Sequence, residues 1–344
     1  MDRFAPRRLL IAGNLLFGVA IALVSQANGS VAQFYLLFAL VGIAGSIPST
    51  AMFCKVVSDW FDQRRGLMLG VTAGVGNGVG ATFMPILAGV LLGAIGWRDS
   101  FAVIGAVVIG LGFPVLYFLL RDAPHARADT RSVSAGLTGL TLGEAARTPV
   151  FWLLLAAVAA GAGGMTAIFT HVVPMLQDHG VSLSEATAVI AIFALVAAAW
   201  QVATGFMLDR LRTPRVIMPM YASAIAGLLL LQFGHGSLSN VMAGVLLGIG
   251  LGAEYAALPY FISRYFGLRH NGTISGAVYA VVILMQGITP PLMDVSFDAR
   301  QTYDFATLAV VAALTLGMLL FAFLPRPDRF APLARAAADA VTAA

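Results

Sequence analysis

Few side chains in this sequence have the chemistry to do more than pack, and the most isolated of them is Glu254. It sits in "GIGLGAEYAALPYFISR", residues 248–264, and is the only acidic group in the interior of an apolar stretch. Arg264 follows ten residues later, roughly 15 Å along a helix, so the carboxyl lies deep between charged ends. Two roles fit it: taking up and releasing a proton, or a neutral hydrogen bond between helices. His171, ahead of Pro174, could titrate, bind an anion or simply bond a neighbour near the end of its stretch. Uncharged polar groups recur in apolar surroundings: Asn14, Asn77, Gln201, Tyr255, Tyr279 and Gln286. Some are expected to line a central cavity and others to bridge helices. A charged set lies between the stretches: Asp2, Arg3, Arg64, Asp209, Arg210 and Arg269. No His-Glu-x-x-His, nucleophile elbow or Gly-Lys-Ser/Thr phosphate loop occurs, so no enzyme, catalytic residue, metal or cofactor is expected. The single cysteine, Cys54, excludes an internal disulfide framework and a cysteine-based zinc site.

The elements that position these residues follow from composition. Of 344 residues, 59% are hydrophobic and 10% charged, against about 25% charged in soluble domains. Such a chain cannot coat a globular surface and must face lipid. Ten apolar segments approach the ~20 residues needed to cross a bilayer: 8–27, 32–54, 66–94, 100–120, 150–173, 184–207, 214–234, 238–262, 271–293 and 303–324. They are continuous and rich in Ala, Leu and Gly, which argues against a strand barrel. The first has no small-residue cleavage site behind it, so no secretory signal is expected. With ten crossings, only Arg98 and Arg300 of the 20 Lys and Arg residues fall on one side. The other side is then cytoplasmic, with both visible termini on it. No Lys or Arg lies in the interior of a segment, Arg8 and Arg215 standing only at the starts of theirs. The basic residues are scattered in short clusters, which gives no nucleic-acid surface.

The chain also repeats itself. Asp2-Arg3 returns as Asp209-Arg210, and "SDWFDQRRG" (58–66) resembles "SRYFGLRHN" (263–271). Ser58, Phe61, Arg64 and Pro85 match Ser263, Phe266, Arg269 and Pro290 at a constant offset. The first four segments thus map onto the last four, and the fifth and sixth have no partner. The expectation is two pseudo-repeated six-helix halves of which ten helices of twelve are visible. The N-terminal half is 1–120, a cytoplasmic linker 121–149, the C-terminal half 150–324 and a tail 325–344. Glycines at 66, 70, 74 and 78, echoed by Gly272 and Gly276, predict one face of close helix approach.

These residues carry a resemblance. "DRFAPRR" resembles the end of the loop signature of the major facilitator superfamily, and "GFMLDRLRTPR" its second-half echo. "WFDQRRGLMLGVTAGVGNGVG", "GWRDSF", "TLGEAARTPVFWLL", "THVVPMLQDHGVS" and "RYFGLRHNGTISG" are similar to the monocarboxylate-porter and oxalate/formate-antiporter-like branch. Ala5 stands where that loop usually has glycine, and Arg212 and Thr213 also depart from the pattern. The resemblance implies an all-α membrane bundle carrying a small molecule by alternating access, with organic anions or monocarboxylates as the leading class. It also implies that the Asp-Arg loops act as cytoplasmic gates, with Asp2 near Gly272 and Asp209 near Gly66, each at a helix N-terminus. A carboxylate at mid-membrane wants a cation, and none is visible there, so a neutral or amphiphilic cargo stays open. Coupling to protons would fall to Glu254. The competing reading is a transport-incompetent relic, sensor or scaffold. The expected partners are the lipid bilayer and the cargo, and the chain is expected to be a monomer.

Overall fold

A computed structural model of the chain describes residues 6–61, 65–121, 139–267 and 269–327. Among them regular structure is helical, apart from one isolated bridge between Gly139 and Gly267. The helices are α1 (Pro6–Leu23), α2 (Val31–Gly45), α3 (Thr50–Trp60), α4 (Arg65–Pro114), α5 (Leu142–Ala146) and α6 (Pro149–Asp178). They continue with α7 (Leu183–Leu211), α8 (Met218–Phe233), α9 (Ser237–Phe266), α10 (Asn271–Arg300) and α11 (Asp304–Phe323). Eight described helical stretches are long and apolar enough to cross a membrane, and Val31–Gly45 and Leu67–Gly76 are shorter apolar helices.

The chain divides into two compact units, 1–62 with 79–135 and 63–78 with 136–344. In the first, α1 packs against the later part of α4 through small residues. A Cβ on Gly105 would come within 2.8 Å of Ala22 N, so the two backbones touch. Asn14, buried on α1, donates from Nδ2 to Val108 O at 3.2 Å. Gly96 breaks α4 at φ 77°, ψ 171°, a left-handed φ that suits only glycine. Arg98 just beyond it donates to Ala27 O at 3.1 Å and stacks on Trp97.

Two expectations need correction here. Segment 32–54 is not one helix, because the chain breaks between Gly45 and Thr50. Pro48 has no N–H to donate and pushes Ile47 out of the helical region. Ile47 and Pro48 then pack on Gly13 of α1. Because the helix restarts, Lys55 lies inside α3 rather than in a loop, so a helix does contain a cation.

The second unit is built around α7, which is held between two glycine ladders. On one side a Cβ on Gly74 would meet Gln201 Cβ at 3.1 Å, and Gly70 faces the backbone of Gln201 and Val202. On the other, Gly244, Gly248 and Gly252 of α9 face Val189, Phe193 with Val196, and Ala197 with Trp200. Spacing of four puts each ladder on one helix face, and lipid supplies no hydrophobic drive to bring helices together. Van der Waals contact of backbones replaces it. Gly276, predicted to join such a seam, meets nothing within 4 Å.

Prolines bend the other boundaries. α6 runs through Pro174 to Asp178 and α10 through Pro290 and Pro291 to Arg300. Each outruns its predicted end because, away from water, a helix has no better place for its backbone groups. Asp294 and Asp298, expected in a loop, are therefore helical. Before α6, Thr141 and Glu144 form a reciprocal capping box: Thr141 N donates to Glu144 Oε2 at 2.7 Å, and Glu144 N to Thr141 Oγ1 at 3.3 Å. Leu140 N donates to Phe266 O at 2.8 Å, tying this segment to the end of α9.

Two outcomes are expected. Gly248→Leu, which forces a side chain into backbone, should destabilise the purified protein by about 2 kcal/mol or more. Gly276→Leu should be close to neutral, and thermal unfolding in detergent checks both. The Thr141 backbone and side-chain hydrogen bonds hold the Glu144 carboxyl below its ordinary value. A lowered folded pKa means the box stabilises at neutral pH and weakens as pH falls through that lowered value. Hydrogen exchange at the Thr141 and Glu144 amides should therefore accelerate, relative to neighbouring loops, only in the acid range.

Candidate functional site in the second unit

Glu254 lies on α9, 5% exposed, and its Oε2 has no hydrogen-bond partner. Gly250, one turn earlier on the same face, packs on Ala224 and Met220 of α8. That direction carries the carboxyl towards Tyr221, the residue next to Met220 on α8. Tyr221 is itself buried where Gly161 of α6 and Gly317 of α11 leave room for its ring. Glu254 therefore stands inside the second unit, among α6, α8 and α9.

Gln201 occupies the opposite side of the α7–α9 seam. It is 4% exposed, and its Oε1 is also without a partner, as is Nε1 of its neighbour Trp200. Both positions are set by Gly252, because a Cβ there would meet Trp200 Cβ at 2.8 Å and Gln201 N at 3.0 Å. Three buried polar atoms with no partner on two adjoining helices are unusual, since buried polar groups are normally hydrogen-bonded. They offer an acceptor at Gln201, a donor at Trp200 and, at Glu254, either one according to its protonation, to whatever enters, water included.

His171 on α6 is 5% exposed and bonded at both ring nitrogens. Nδ1 lies 2.7 Å from Ala167 O and 3.0 Å from Thr170 Oγ1, and Nε2 lies 2.8 Å from Asp294 Oδ1 of α10. Asp294 was not singled out in the sequence because it lies just past the segment ending at 293 and read as an outer-loop acid. Tyr279 and Gln286 are half-buried on α10. The side chains of Asn77 and Tyr255 lie outside the described residues, as do Asp2, Arg3 and Arg64.

At the arginine-rich end, Asp209 Oδ2 accepts from Leu67 N at 3.0 Å, in the first turn of α4. A carboxylate there meets unpaired N–H groups and the positive end of the helix dipole. Tyr260 OH donates to Leu208 O at 2.8 Å beside it, which fixes the last turn of α7. Arg210 and Arg269 are exposed. No group of three or more His, Cys, Asp or Glu that could hold a metal occurs among the described residues. The glycines at 244, 248 and 252, which set the Gln201 side of the seam, were not singled out in the sequence, although their spacing of four carries the same signal as the ladder from residue 66.

Comparison with known proteins gives the context. Residues 1–290 match the family model described as Major Facilitator Superfamily. The chain is 28% identical over 284 residues to an MFS-type transporter of Gibberella moniliformis, covering 81% of this chain and 65% of that protein. It is 28% identical over 330 residues to the probable nitrate/nitrite transporter NarK2 of Mycobacterium tuberculosis, covering 90% and 78%. It is 26% identical over 339 residues to human monocarboxylate transporter 11, covering 94% and 70%. Among solved structures, the Escherichia coli fucose:proton symporter FucP (N162A) superposes with a TM-score of 0.68 at 15% identity, over 94% of this chain and 85% of that one.

Asp209→Ala should uncap the start of α4, at a cost of about 1 kcal/mol, and Asp209→Asn should recover much of it. Hydrogen exchange at the Leu67 amide, several-fold faster in the alanine variant and close to wild type in the asparagine variant, is the check.

Proposed function

The chain belongs to the Major Facilitator Superfamily, and on that premise we propose that this multi-pass membrane protein carries a small molecule across the bilayer by alternating access. The observation that supports it most is the set of buried polar atoms without partners, Glu254 Oε2, Gln201 Oε1 and Trp200 Nε1. A bundle built only to be rigid gains nothing from leaving them unpaired. A carrier, in contrast, needs polar groups whose partner arrives and leaves.

For the cargo, singly charged small anions lead. The sequence resembles the monocarboxylate branch, and two relatives are named for nitrate/nitrite and for monocarboxylates. Glu254 is the coupling group in this reading: an intramembrane carboxyl that binds a proton together with the anion and so carries it as a neutral pair. Gln201, Asn77, Tyr255, Tyr279 and Gln286 are the candidates for the cargo path. The arginine-rich ends face the cytoplasm. There Asp209 with Arg210, and by the repeat Asp2 with Arg3, Arg64 and Arg269, form the gating loops.

Reconstitution into liposomes tests this. Labelled lactate, formate and nitrate would be supplied with and without an inward proton gradient. Saturable uptake of one of them, raised by the gradient, is expected. Glu254→Gln should lower gradient-driven uptake roughly tenfold and flatten its pH dependence. Unchanged uptake and pH dependence in that variant would remove Glu254 from the mechanism. A folded protein that moves no solute would point to the scaffold reading instead.

A further inference from the structure

At the arginine-rich end of the second unit, the turn between α7 and α8 meets the chain leaving α11. Arg212 closes α7 in the left-handed region at φ 48° and sends the chain into a short 3-10 turn, Pro214–Ile217. Pro214, Val216 and Ile217 of that turn are buried, which leaves Arg215 exposed. The exit from α11 is built the same way. Leu324 is buried, Pro325 O accepts from the Tyr265 hydroxyl of α9 at 2.5 Å, and Arg326 is exposed. The two segments share a cavity of about 330 Å³, lined by Thr213, Arg215, Leu324, Pro325 and Arg326.

Two guanidinium groups therefore line a space with no acid on its walls among the described residues. Neither group has a hydrogen bond or ion pair there. Like charges on one cavity repel, and an anion between them turns that repulsion into attraction. A guanidinium offers a planar fork of N–H donors that fits phosphate oxygens in pairs, and Thr213 adds a hydroxyl. The depth of the cavity matters as much as its charge. Arg215 stands at the start of the crossing stretch Pro214–Phe233, and Arg326 just past the end of Asp304–Phe323. Both lie where hydrocarbon gives way to headgroups. From that level an exposed apolar stripe runs back along α11 through Phe323, Leu319, Leu316, Ala312 and Leu308. Spacing of three and four keeps it on one helix face.

We propose that this cavity binds the phosphate of an anionic phospholipid, with Arg215 and Arg326 as its clamp and the acyl chains along the α11 stripe. Basic pockets between helix ends at a membrane surface suit such headgroups. The stripe is what favours a lipid over free phosphate, since a soluble ion uses the cavity alone and a lipid uses both. A zwitterionic lipid is the poorer occupant, because its own cation meets two arginines. Once bound, the lipid ties the α7–α8 turn to the exit of α11 through charge. The site stands apart from Glu254, from the Asp209 contact with α4 and from any cargo.

Native mass spectrometry of the full chain in detergent tests this, with phosphatidylglycerol and phosphatidylcholine as the probes. Phosphatidylglycerol should be retained in preference to phosphatidylcholine. Arg215→Gln combined with Arg326→Gln should weaken phosphatidylglycerol binding on the order of tenfold and leave phosphatidylcholine unchanged. Arg147→Gln removes an exposed cation outside the cavity and should keep the preference. If the double variant does not fold, as judged by size-exclusion profile, Arg326→Gln alone should lose about threefold. Equal retention of the two lipids by the wild type overturns the proposal. So does an equal loss in Arg147→Gln, which would reduce the effect to general surface charge. Displacement of phosphatidylglycerol by excess soluble glycerol phosphate also overturns it, and would assign the cavity to a free phosphate.

Discussion

Close approach of backbones along α7 is the constraint on which the second unit depends. Two helices in lipid gain little from hiding apolar side chains, since lipid is as apolar as they are. They gain from dispersion at short range, and a row of glycines is the way to reach that range. Gly70 and Gly74 bring α4 onto the backbone of Gln201 from one side, and Gly248 and Gly252 bring α9 onto Phe193 through Gln201 from the other. The positions of Trp200, Gln201 and Glu254 follow from that double contact. A glycine seam also lacks interlocking side chains, so what it fixes is separation more than axial register.

Register is supplied by polar contacts at the helix ends. Asp209 seats the arginine-rich end of α7 on the first turn of α4, and Tyr260 holds the carbonyl of Leu208 beside it. At the far ends, Asn240 donates to Glu185, Gln232 donates to Asp304, and His171 Nε2 meets Asp294 Oδ1. The unit thus combines a smooth middle with specific ends.

Much of this was legible in the sequence, for reasons that can be stated. The lipid environment follows from charge content, and the placement of Asp209 near residue 66 follows from the family resemblance. Glu254 stands out because an acid within an apolar run is rare. Other features were hidden by ambiguity in the residues themselves. Proline broke the helix at Pro48 but was absorbed at Pro174, Pro259 and Pro290, and only packing decides between those outcomes. A glycine repeat marks a face without saying whether anything lies against it, as the contrast between Gly248 and Gly276 shows. The pairing of His171 with Asp294 joins residues 123 positions apart, and no local pattern predicts it.

The prolines absorbed into helices also leave backbone carbonyls without their usual donor: Pro174, Pro259 and Pro291 have no hydrogen to give Thr170, Tyr255 and Gly287, four residues before each. Among the described buried side-chain atoms of this unit without a partner, Trp200 Nε1 can only donate and Gln201 Oε1 can only accept, whereas Glu254 Oε2 and Ser296 Oγ can do either. While Glu254 is ionised, such surroundings are a poor solvent for a bare oxyanion and a better one for a molecule that brings its own hydrogens. An undissociated acid, a hydrated ion or an alcohol would each be received there on better terms than the same anion alone.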